Sequence, residues 1–128
     1  MGAFIVIGAG PGLGAAAARH LGKEGHPVGL IARSAESLRA ISAGLTAEGL
    51  TTAAEAADVA EERALADAIG RLREQLGPIE VVLFGPRPSL AWIKPVLDTE
   101  PADIGSALDL SVVAAATAPG APSPTGRI

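Results

Sequence analysis

Four short runs of apolar or β-forming residues, at positions 3–7, 28–31, 51–57 and 79–84, alternate with longer stretches of helical period. That alternation constrains the fold more than any other feature. Ala3-Phe4-Ile5-Val6-Ile7 is continuously apolar, as a strand buried on both faces requires, and parallel sheets bury both faces. Residues 13–24 place Leu13, Ala17 and Leu21 on one helical face, with Arg19 and Lys23 off it. Ser34 can cap a second helix carrying Leu38, Ile41 and Leu45, with Glu36 favourably set in its first turn. The clearest helix, 61–76, carries Leu65, Ile69, Leu72 and Leu76 on one stripe. Gly25, Gly49 and Gly77-Pro78 stop the three helices. The Ala-rich run 51–57 is assigned as a strand mainly because the alternation demands one. The order βαβαβαβ predicts an α/β fold: right-handed crossovers and a doubly wound parallel sheet of about four strands.

Beyond Phe84 the pattern changes. Gly85-Pro86-Arg87-Pro88 reads as a loop, and Asp98 or Thr99 can cap a helix over 101–118 that carries Ile104, Leu108, Val112 and Ala115 on one face. Residues 119–128 hold three Pro and two Gly without periodicity, so a disordered tail is expected there, after a single domain over 1–118. The chain has no Cys, which excludes disulfides and thiolate chemistry and fits a reducing compartment. His20 and His26 are the only histidines, and no metal site is expected. A net charge of −4 without a block of Lys or Arg argues against a nucleic-acid or acidic-membrane partner. No run approaches transmembrane length, and 3–7 leads straight into glycines without a basic flank, so a cytoplasmic protein is expected.

The glycines after the first strand carry the chemistry. A βα turn that receives a pyrophosphate must bend sharply, admit the ligand to the backbone and present helix N–H groups, and side chains obstruct each of these. The spacing distinguishes two versions. G-x-G-x-x-G starting at Gly8 needs a glycine at 13, where the chain has Leu13. G-x-x-x-G-x-G is met by Gly8, Gly12 and Gly14, with Gly10, Pro11 and Leu13 between them. The motif follows a strand and opens a helix, which is the context a Rossmann-like dinucleotide site requires. At the end of the second strand a carboxylate would bond a ribose 2′-OH, but Ala32 stands there, followed by Arg33 and Ser34. A guanidinium and a hydroxyl suit a 2′-phosphate, so NADP is favoured over NAD; the alternative is that Arg33 is a solvated residue at a helix start.

On these residues the chain resembles the short-chain dehydrogenase/reductase family. The resemblance covers 3 to about 118 and implies an NADP(H)-binding portion of an oxidoreductase acting on a carbonyl/alcohol pair. It implies that Asp58 and Val59 contact the adenine ring, although Asp58 could also, or instead, cap the next helix. It sets Phe84 and Gly85 at the cofactor pocket, in place of the family's Asn-Asn-Ala-Gly. The family's helix Asn is replaced by Ser111 in Leu108-Asp109-Leu110-Ser111, which leaves the proton relay there in doubt. Family catalysis uses a Tyr, a Lys and a Ser, and this chain has no Tyr. No catalytic residue is therefore assigned. The expectation is a truncated N-terminal half, inactive alone, with an open fourth-strand edge that promotes homo-oligomers or aggregation. The other possibilities are a non-catalytic dinucleotide-binding or regulatory module, or a fragment without its own function.

Overall fold

The computed structural model describes residues 2–9, 12–85 and 95–108, the side chains of residues 13 and 106–108 excepted. The element order is β1 (Ala3–Ile7), α1 (Leu13–Lys23), β2 (Val28–Ala32), α2 (Ala35–Ala47), β3 (Thr52–Ala56), α3 (Glu62–Leu76), β4 (Ile79–Phe84), a 3-10 turn (Val96–Asp98) and α4 (Pro101–Leu108). Each predicted strand and helix up to β4 is present within a residue or so of its expected bounds. The four strands form one parallel sheet in the order β3-β2-β1-β4. Crossovers through α1 and α2 step the chain one way, and α3 then carries it back past β1 to β4.

Reversing direction puts the helices on opposite faces, because each crossover keeps the same hand. Phe4, Val6, Val28 and Leu30 face α1 and α2, where Ala18, Leu38 and Leu45 meet them. Ile5, Ile7, Ile31 and Ile79 face α3, meeting Leu65, Ala68, Ile69 and Leu72. β1 is buried along its whole length, which is why its sequence shows no polar alternation. The Ala-rich β3 lies at a sheet edge and is only half-buried, so its weak signal reflects its position.

Tight packing between layers depends on small residues. A Cβ on Gly29 would lie 2.5 Å from Ile5 Cδ1 and 3.1 Å from Leu72 Cδ1, so the Ile5 and Leu72 side chains fill the space over Gly29 and would have to shift to admit a larger residue. On α1 the most buried positions are Ala15 and Ala18, whereas Ala17 and Leu21 are half-buried. The expected stripe through Ala17 and Leu21 is therefore rotated toward the smaller side chains, which bring the helix closer to the sheet. Gly25, Gly49 and Gly77 all have positive φ after their helices, as helix-ending glycines should.

Polar contacts stitch the layers at their rims. Glu55 of β3 accepts from Gln75 at 3.1 Å and pairs with Arg71 Nε at 3.1 Å, tying that edge strand to α3. Arg19 Nε reaches both Glu48 carboxylate oxygens, at 2.8 and 3.1 Å, joining α1 to the end of α2. His26 is structural, with Nδ1 2.8 Å from the Gly2 carbonyl, while Glu80 accepts from the Gly2 N–H at 3.0 Å. His20 lies on the surface, 3.6 Å from Glu24.

Two expected helix caps are replaced. Asp58 does not cap α3; Glu61 stands at that position, and Asp58 Oδ1 instead accepts from the Ala60 N–H at 3.0 Å in an Asx turn. Asp98 and Thr99 do not cap α4. Asp98 belongs to the 3-10 turn, and the Thr99 hydroxyl donates to the Pro95 carbonyl. Pro101 opens the helix, Glu100 precedes it, and the Asp103 carboxylate accepts from the Glu100 N–H at 2.9 Å. At α4 a side chain three positions on reaches back to the helix start, whereas α3 begins at Glu61 without a side-chain hydrogen bond at its cap. The part of the expected helix beyond 108 and the expected tail at 119–128 lie outside the described residues.

Candidate functional site

The parallel register aligns the four strand ends. Ile7 is paired with Ile31 on one side and Phe84 on the other, and Ala32 is paired with Ala56. Gly8, Arg33, Ala57 and Gly85 each follow a strand end, so the segments singled out in the sequence emerge along one edge of the sheet. The chain direction reverses between β1 and β4, and the crevice outside the strand C-termini at such a switch point is where open α/β sheets bind ligands. The glycine turn leaves β1 at that point.

The turn is built on backbone geometry. Gly8 has φ of +86°, a region that L-residues with side chains rarely adopt. Its N–H and that of Ala9 both donate to the Ile31 carbonyl, at 2.8 and 3.0 Å. This pins the exit of β1 across to β2. Gly12 stands at the N-cap of α1, and its carbonyl accepts from the Ala16 N–H at 3.1 Å.

The two later glycines are there for different reasons. A Cβ on Gly14 would lie 3.3 Å from Val6 Cγ1 and 3.4 Å from Ala9 Cα, so the close approach of α1 to β1 demands a small residue. A Cβ on Gly12 would meet no described atom within 4 Å. Packing among the described residues gives no reason for a glycine there, whereas a group approaching the helix end from outside would. The electrostatics agree. α1 has no acidic residue in its first turn and, among the described residues, no side-chain hydrogen bond at its cap, so its first amides and positive dipole end suit an anion. Gly10, Pro11 and the side chain of Leu13 lie outside the described residues.

At the end of β2, Arg33 is exposed and has no hydrogen-bond or ion-pair partner among the described residues. Ser34 caps α2 as expected, its Oγ accepting from the Ser37 N–H at 3.2 Å. Accepting leaves the hydroxyl proton free to donate, so capping and phosphate binding are compatible. Next to β3, Asp58 is exposed, but Val59 is only 5% exposed and packs in the α3-side core. Val59 can thus offer a ligand its backbone and little of its side chain. Phe84 is half-buried against the same core, and the exposed Gly85 donates its N–H to the Ile7 carbonyl at 2.9 Å, extending the β1–β4 ladder.

The Ile31 carbonyl, which holds the turn by accepting two amides, has no signature in the side-chain sequence. It is the one element of the site that sequence reasoning does not anticipate. Among the described residues no group of three His, Cys, Asp or Glu could hold a metal ion, and no helix is long and apolar enough to cross a membrane.

The family model for short chain dehydrogenases matches residues 3–120, and the chain belongs to that family of oxidoreductases. A curated relative, gluconate 5-dehydrogenase of Gluconobacter oxydans, is 34% identical over 79 residues, covering 62% of this chain and 31% of the relative. The match therefore takes in about a third of that protein's length. A metagenomic short-chain oxidoreductase solved in complex with NADP superposes with a TM-score of 0.82 at 28% identity, over 93% of this chain and 54% of the other. An NAD+-bound xylitol dehydrogenase superposes with a TM-score of 0.83 at 24% identity, over 94% of this chain and 46% of the other, and shows the shared fold.

Proposed function

We propose that this chain is the NADP(H)-binding portion of a short-chain dehydrogenase acting on a carbonyl/alcohol pair. The observation that carries this reading is the glycine turn at the sheet's switch point, where Gly12 opens onto an uncapped helix end free of acidic side chains. Gly8, Gly10, Pro11, Gly12, Leu13 and Gly14 would hold the pyrophosphate against the first amides of α1. Arg33 and the Ser34 hydroxyl would take the 2′-phosphate, Asp58 and the Val59 backbone the adenine, and Phe84 with Gly85 would border the pocket beside β1. When bound, the nicotinamide supplies or accepts hydride. Among the described residues the fit is good at three points: space above Gly12, a guanidinium at Arg33 with no partner, and a Ser34 proton available to donate.

The related metagenomic oxidoreductase was solved with NADP, which supports the same cofactor here, while the xylitol dehydrogenase carries NAD+. Arg33 supports NADP on charge: a guanidinium favours a 2′-phosphate, and no carboxylate at Ala32 opposes it. Titration of the protein with NADPH and NADH, repeated on Arg33→Ala, tests this. Tighter NADPH binding that the substitution weakens supports the reading, and no binding of either nucleotide refutes it.

A second reading, a dinucleotide-binding module without catalysis of its own, is favoured by the absence of Tyr from the chain. Proton exchange with a carbonyl substrate needs a positioned acid near it, and the family's phenol is not supplied by these residues. The purified chain is expected to show no NADPH-dependent carbonyl reduction, and a measurable rate would favour the first reading over the second. We place the protein in the cytoplasm, in keeping with its cysteine-free composition. We also expect self-association, because among the described residues β4 has β1 as its one strand partner and Val96 and Leu97 are 85% and 95% exposed.

A further inference from the structure

We draw no further inference here: the strongest candidate, the outer edge of β4 with the exposed Val96 and Leu97 beyond it, is already the basis of the expected self-association, and nothing in the structure shows what covers it.

Discussion

Substituting alanine at Gly12 and at Gly14 separates a glycine proposed to admit a ligand from one that packs against β1. At Gly14 the new methyl group would sit 3.3 Å from Val6 Cγ1 and 3.4 Å from Ala9 Cα. The Ala9 contact is ordinary van der Waals contact; the buried Val6 side chain must give by a few tenths of an ångström. Overpacking of this kind costs about 1–3 kcal/mol. Alanine recovers up to about 1 kcal/mol of helix propensity, less in the first turn. The net expectation is a loss of about 1 kcal/mol, or a fall in Tm of about 3–6 °C for a domain of this size. At Gly12 the methyl meets no described atom, and stability should change by less than about 1 kcal/mol, mostly from the poorer cap. Binding should change more, because the methyl would stand between the helix amides and an incoming anion. Losing one charge-assisted hydrogen bond of about 2 kcal/mol weakens NADPH affinity about 30-fold. Thermal melts and calorimetric titration on both variants read the two effects separately. The reasoning fails if Gly12→Ala binds NADPH as tightly as the parent, or if Gly14→Ala melts no lower than the parent.

Two further outcomes are expected. The Arg19 guanidinium, hydrogen-bonded to both oxygens, holds the Glu48 carboxyl below the ordinary glutamate range, with Lys23 adding to the effect. A carboxyl depressed in the folded state stabilises the fold fully above the unfolded glutamate pKa and loses that contribution as pH falls through its folded value. NMR titration should show the Glu48 resonance moving at lower pH than that of a free glutamate, and Arg19→Ala should return most of the difference; an unchanged midpoint would contradict the assignment. Light scattering at high protein concentration should show species larger than a monomer, and a clean monomer would count against an accessible β4 edge.

The order of the elements was legible because strands buried on both faces leave continuous apolar runs, and because Gly25, Gly49 and Gly77 stop each helix at a backbone position that suits glycine. The weakest strand was read only from context, since Thr52–Ala56 lies at an edge and needs few large side chains. The starts of α3 and α4 are not legible in the sequence for a local reason. Asp58 and Thr99 are good cap residues by type, but their side chains serve tight turns, and Asp103 reaches back to the start of α4 from three residues on. In the site, glycine spacing revealed the turn but not the division of labour between Gly12 and Gly14, which depends on where α1 crosses Val6 and Ala9. The side chain of Val59 belongs to the core beneath α3, which the resemblance alone does not reveal, so a contact with the adenine falls to its backbone. The Ile31 carbonyl was invisible, because a main-chain acceptor looks the same in every residue.

Whether the glycine turn holds a dinucleotide, and Arg33 selects NADP there, is read from the Kd values for NADPH and NADH on the parent chain and on Arg33→Ala. NADPH should bind more tightly, with a preference that shrinks about tenfold in the variant as charge-assisted bonds to the 2′-phosphate are lost. NADH binding as tightly as NADPH, or an unchanged preference in Arg33→Ala, would contradict the selection, and no binding of either nucleotide would contradict the site itself.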